Sequence, residues 1–181
     1  MKLKPLTIFF YTTILLLCTT CRKETALDKL PPATQEGRNT FGCLVNGKAW
    51  MPDNGCDWLC PADLKFMYDF ENGGTFRVQA DLTAGSQNQQ IFFRFYPCIS
   101  VGKKYLRTGD VTFSVTYKDK NKDTNCQDYP TQQNTTTIDG FVDITRFDLG
   151  NGIISGTFEF TLNKPGCETI NITNGRFDGK L

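Results

Sequence analysis

The sequence predicts an all-β protein, built as a single antiparallel β-sandwich or β-barrel of about nine to eleven short strands. Three observations carry that expectation. Apolar and polar residues alternate with a period of two through most of the chain after residue 40, the pattern of half-buried strands. Asn-Gly and Gly-Gly pairs punctuate the alternation, as tight hairpins require. No long stretch places apolar residues at i, i+3, i+4 and i+7, and only residues 56–67 have room for a helical turn.

The elements follow in order. Residues 41–45 form a short apolar run, Asn46-Gly47 a hairpin turn and residues 48–52 the return strand. Phe66, Tyr68 and Phe70 alternate with Met67, Asp69 and Glu71; Asn72-Gly73-Gly74 turns the chain; Phe76, Val78, Ala80 and Leu82 alternate with Arg77, Gln79 and Asp81. That is a second hairpin with one buried and one wet face. Residues 90–98 are apolar on both faces, with Phe93 and Phe95 opposite Phe92 and Tyr96, which marks a central strand. Val111, Phe113, Val115 and Tyr117 continue the alternation. Residues 141–147 and 153–162 flank a turn at 149–152, and Ile170 and Ile172 precede a turn expected at Asn174-Gly175. Arg176 and Asp178 flank a core Phe177 and are expected to share one face as a pair.

Composition narrows the chemistry. The chain has 181 residues, eight cysteines and no histidine. Without histidine, no Ser-His-Asp or Cys-His nucleophile and no His-ligated zinc or haem is available. Hydrophobic content of 39% and fifteen Phe supply a real core. The formal net charge of +1 lacks the basic surplus that nucleic acid binding calls for.

The first forty residues read as export and attachment. Lys2 and Lys4 precede an apolar run at residues 6–17, the length of a signal-peptide core and too short to span a bilayer. Small or polar residues, Cys18, Thr19 and Thr20, lead into Cys21. This segment resembles a bacterial lipoprotein signal with a loose lipobox. The resemblance implies cleavage after residue 20 and acylation of Cys21, which tethers the protein to a bilayer without inserting it. Losing Lys2 and Lys4 turns the formal charge to −1, so no polybasic patch assists the anchor. Residues 22–40, interrupted by Pro31-Pro32, are expected to be a disordered tether reaching about 24 Å as a loose coil. The organisation is therefore a signal peptide at 1–20, a lipidated cysteine and tether at 21–40, and an all-β domain at 41–181.

Two segments carry a second resemblance. NTFGCLVNGKAW (residues 39–50) and GCETINITNGRFDGKL (residues 166–181) are similar to the two ends of a group of small Bacteroidota lipoproteins of unknown function, whose all-β domain starts at FGCxVNGKxW and ends at ITxGRFD. The resemblance implies fold and location in the cell envelope, with the outer membrane as the expected site and the leaflet open. It implies no activity.

With Cys18 removed and Cys21 acylated, Cys43, Cys56, Cys60, Cys98, Cys126 and Cys167 remain as candidates for up to three disulfides in an oxidising compartment. A bridge from Cys43 to Cys167, tying the first strand to the last, is the favoured pairing. A zinc site lacks its second half: Cys56 and Cys60 have zinc-like spacing, but no second pair follows. Asp119, Asn121, Asp123 and Asn125 alternate as calcium-loop ligands do. Thr124 stands where such a loop needs Gly and Pro130 where it needs Glu, so a polar loop is the better reading. No metal or cofactor is expected. Asp53, Asp57 and Asp63 surround Trp50 and Trp58, but no spacing rule selects a catalytic pair. Trp50, Trp58, Tyr68 and Tyr96 are candidates for an aromatic ligand platform, and residues 118–133 for a recognition loop.

The function expected is a non-enzymatic, lipid-anchored envelope module that binds a protein or glycan. The alternative is a lipocalin-like barrel around a small apolar ligand. The interior discriminates: a cavity supports the barrel reading, and tight filling by Phe side chains defeats it.

Overall fold

A computed structural model describes residues 23–56, 63–71, 73–97, 100–133 and 135–181. Eleven strands are described: β1 (Thr40–Val45), β2 (Lys48–Trp50), β3 (Leu64–Asp69), β4 (Thr75–Leu82), β5 (Gln89–Phe95), β6 (Gly102–Arg107), β7 (Phe113–Asp119), β8 (Asp128–Pro130), β9 (Thr137–Asp148), β10 (Ile153–Asn163) and β11 (Ile170–Lys180). They form two antiparallel sheets, ordered β2-β1-β11-β10-β9-β6 and β3-β4-β5-β7-β8. Among the described residues each sheet ends in an unpaired edge, so the architecture is an open sandwich and not a closed barrel.

Local chemistry sets the hairpins. Asn46 and Gly47 both adopt positive φ, 48° and 78°, as a type I′ turn demands. β5 lies third in its sheet, with Ile91, Phe93 and Phe95 buried on one face and Phe92 and Arg94 half-covered on the other. Its two-sided apolar character is that of a central strand.

The interior is filled by rings. Phe93 meets Phe41, Phe76, Phe95, Phe158 and Phe177 at centroid separations of 5.5–6.3 Å. Such pairs add stabilisation beyond the area they bury. With Phe packing between two open sheets, the lipocalin-like alternative is overturned.

Glycines let these rings approach the backbone. Phe158 lies opposite Gly175 across the β10–β11 ladder, and Phe177 lies opposite Gly156. A Cβ on Gly175 would come within 2.4 Å of two ring carbons of Phe158, and one on Gly156 within 2.7 Å of the ring of Phe177. Gly175→Val should therefore destabilise the domain by about 3 kcal/mol through overpacking, measurable by urea denaturation; a loss under about 0.5 kcal/mol, the range of a surface substitution, would contradict this packing.

Some expectations need correction. Asn174-Gly175 is not a turn: β11 runs through it, and one extra residue is accommodated against both β1 and β10 with Asn174 at φ 53°. This is a β-bulge, which bends the strand while pairing continues. Two edge strands, β6 and β8, carry no alternation strong enough to read. β6 buries only Leu106 and is otherwise rich in Lys and Arg; β8 is three residues ending in Pro130. Short, charged or proline-bearing edges discourage pairing with another chain. Val111, expected in a strand, is 87% exposed before β7 begins.

The segment read as a loose tether is docked along part of its length. Leu30 is buried, and Pro31 packs over Gly42. Asp178, 1% exposed, then accepts hydrogen bonds from Thr34 Oγ1 (2.6 Å), Glu36 N (3.0 Å), Gly37 N (2.8 Å), Arg38 N (3.2 Å) and Ser155 Oγ (2.7 Å). Arg176 is not its partner; the guanidinium donates to Pro31 O and Asn174 O. Burial alone raises the Asp178 pKa, but these donors outweigh it and hold the carboxyl at about 2.

Candidate functional site

A concavity opens between the sheets where β4 ends and β5 begins. Its volume is about 420 Å³, within the range of small-ligand sites. The β1–β2 hairpin supplies Asn46, Lys48 and Trp50; β5 supplies Gln89, and the end of β7 supplies Asp119. Lys122 and Glu168 close the far wall.

A relay of side-chain hydrogen bonds crosses the cleft. Trp50 Nε1 donates to Gln89 Oε1 at 2.8 Å, and Gln89 Nε2 donates to Asp119 Oδ2 at 2.9 Å. Asp119 also accepts from Asn121 N (3.1 Å) and Tyr117 OH (3.4 Å). Lys122 pairs with Glu168, whose other oxygen accepts from Asn46 Nδ2 at 2.9 Å. One hairpin, two strands of the opposite sheet and the β10–β11 turn are thereby tied around one opening. The relay fixes rotamers, so the cleft wall is preorganised.

The electrostatics follow from these partners. The Lys122 ammonium, with help from Asn46, holds Glu168 below the ordinary glutamate range. Burial disfavours charge on Lys122, but Glu168 more than offsets it and the Lys122 pKa is raised. Burial, aided by Asp119, pushes the Tyr117 phenol up.

A disulfide braces the far wall. Cys126, in the short 3-10 turn Thr124–Cys126, bonds Cys167 in the β10–β11 turn, with a Cα–Cα distance of 5.6 Å. Around it Tyr129 OH donates to Glu168 O (2.8 Å), and Lys164 Nζ donates to Asn125 O (2.5 Å) and Asp128 O (2.9 Å). The expected Cys43–Cys167 bridge is thus overturned. Cys43 is a free thiol, fully buried opposite Trp50, and burial pushes its pKa up. β1 does pair with β11, but Leu44 lies opposite Thr173. Cys43 is therefore level with residues well along β11, on the order of 20 Å of extended chain from Cys167, whereas a disulfide spans about 6 Å between Cα atoms. Cys56 is also disulfide-bonded, while Cys60 and Cys98 lie outside the described residues.

The aromatic platform is not assembled as a unit. Trp50 is 3% exposed and lines the cleft with its Nε1 spent on Gln89. Tyr68 packs edge-on against Phe70 and Phe147. Tyr96 is half-exposed beyond the other end of β5, about 20 Å from Gln89 and its Trp50 partner along the strand. Trp58, Asp57 and Cys21 lie outside the described residues. Asp53 forms a local turn, accepting from Gly55 N at 2.8 Å, and Asp63 contributes its carbonyl to Asp81 N. Of the segment 118–133, Asp119 and Lys122 reach the cleft. No cluster of three metal-ligating side chains occurs among the described residues. Gln89 and Glu168 are invisible to sequence reading, because a single polar residue at a strand end or in a turn carries no periodic signal.

No curated protein and no solved structure matches the chain. A family match begins at Met67 and ends at Gly179, taking in β4 to β10 entire, nearly all of β11 and both cysteines of the brace. That is more than half of the sequence, so the chain belongs to the family described as a domain of unknown function, DUF6252.

Proposed function

We propose that this is an exported lipoprotein, anchored to the cell envelope through acylated Cys21, whose sandwich is a non-enzymatic binding module. The kinship to small Bacteroidota lipoproteins implied by residues 39–50 and 166–181 belongs to this reading, as does placement at the outer membrane. The observation that carries it is the preorganised cleft. Its walls combine amides, a carboxylate and an ion pair with the side chains of Trp50 and Leu82. That mixture suits a hydroxyl-rich ligand that offers donors, acceptors and an apolar face together. We take the ligand to be a neutral glycan segment. The acids in the cleft are engaged by amides and a lysine, and Cys43 is buried with a raised pKa; this favours binding over turnover.

The docked segment sharpens the anchoring. With residues 30–38 on the sandwich, only residues 22–29 separate Cys21 from Leu30, and Leu27–Lys29 is wound into a 3-10 turn, so the reach falls short of the ~28 Å of a fully extended segment of that length. The cleft would then work close to the bilayer surface.

Titration calorimetry with neutral envelope oligosaccharides tests the binding. Saturable binding that Gln89→Leu weakens about tenfold or more is expected, since one polar contact is worth roughly 1.5 kcal/mol. Binding untouched by Gln89→Leu would move the site elsewhere.

A further inference from the structure

The cleft leaves unexplained a pair of arginines on the opposite side of the five-stranded sheet. Arg77 on β4 and Arg94 on β5 are directly opposite in the ladder. Their neighbours Phe76, Val78, Phe93 and Phe95 point into the core, so both guanidinium stems lie on the outer face. The row continues to Met67 on one side and Ser114 on the other, with no acid in line. Directly opposed like charges destabilise an antiparallel pair. Among the described residues, only a long contact to Asp69, 3.9 Å, offsets Arg77. Arg94 makes no hydrogen bond or ion pair with any described residue.

A hollow of about 550 Å³ sits over the pair. Tyr96, half-exposed, forms one wall, and the 87%-exposed Val111 forms another. Tyr96 is held in place by the β3–β4 turn: Gly73 adopts φ 65°, and a Cβ there would come within 2.8 Å of the tyrosine ring. The ring therefore rests on bare backbone. Glu71 at the rim reduces the net positive charge of the hollow.

We propose that this hollow is a second binding site, separate from the cleft, for a saccharide bearing a carboxylate. Two adjacent guanidinium forks match the planar, bidentate geometry of a carboxylate. The Tyr96 ring and the Val111 side chain offer apolar surface to the less polar face of a sugar ring. The tempering by Glu71 favours a singly charged group over a dianion. The site lies at the other end of β5 from Gln89, so the two sites would fail independently.

The test titrates the full-length protein with an oligosaccharide of glucuronic acid, a neutral glucose oligomer of equal length and inorganic phosphate. Saturable binding of the glucuronate oligomer alone is expected, weakening as salt is raised. Arg94→Gln should weaken it at least tenfold, and Tyr96→Ala severalfold. Arg94→Gln should also leave the melting temperature unchanged or raised, because it removes a like-charge contact. Gln89→Leu, placed in the cleft, should leave glucuronate binding intact. The proposal is overturned if no glucuronate binding is seen, if phosphate binds as well as glucuronate, or if Arg94→Gln binds like the parent. A marked fall in melting temperature in Arg94→Gln would also overturn it, since Arg94 would then be a structural residue.

Discussion

Replacing Asp178 with alanine should cost the domain about 3–5 kcal/mol, the largest effect expected of any single side chain here. The carboxylate is 1% exposed and gathers five donors, three of them backbone N–H groups from residues 36–38. Removing it strands those donors and the Ser155 hydroxyl without a partner. Residues 30–38 should then release from β11 and become sensitive to protease. The same carboxylate makes stability depend on pH. Its folded pKa, about 2, is depressed below the ordinary value of 3.8. The stabilisation is therefore complete above pH ~4–5 and disappears as pH falls toward 2, a loss of about 2 kcal/mol. Asp148 is also depressed to about 2, by Arg146 and Asn151, so it contributes in the same window. Comparing wild type with Asp178→Asn by urea denaturation at pH 7 and pH 3 isolates the Asp178 share. Equal pH dependence in the two proteins would refute the assignment.

The second large effect is loss of the brace. Changing Cys126 and Cys167 together to serine opens a cross-link with a sequence separation of 41. The chain-entropy model gives about 4 kcal/mol for such a loop, or roughly 10 °C or more in melting temperature for a domain of this size. The effect should reach beyond stability. The disulfide pins the β7–β8 connection to the β10–β11 turn, and Lys122 and Glu168 stand on those two segments. Without it the far wall of the cleft rests on the ion pair, the Asn46 bonds to Glu168 and Thr169 O, the Tyr129 bond to Glu168 O and the Lys164 contacts. Calorimetry on the double variant should show weakened oligosaccharide binding at temperatures where circular dichroism still reports native strand content. Binding and melting temperature both equal to wild type would show that the brace is dispensable.

The fold was legible where one face of a strand is buried and the other wet. Phe76, Val78, Ala80 and Leu82 declare β4 because burial alternates with the pleat. β6 was not legible, because an edge strand with Leu106 as its one buried residue has no period to read. The bulge at Asn174 looked like a turn because Asn-Gly supplies positive φ in both settings. The docking of residues 30–38 was hidden for another reason. Its bonds run from backbone N–H groups to a carboxylate about 140 positions away, and backbone donors leave no mark on composition. The disulfide followed the same limit. An even count of cysteines announced cross-links, but the partner of Cys167 depends on which loops the two sheets bring together. The Arg77–Arg94 pair needed register as well, since each arginine alone looks like an ordinary residue on a wet face.

The proposed membrane tether of this domain is tested by intact mass spectrometry of the full-length gene product extracted from bacterial membranes. A chain that begins at Cys21, lacks residues 1–20 and carries the added mass of acyl chains is expected. A chain that retains residues 1–20, or that begins at an unmodified Cys21, would contradict it.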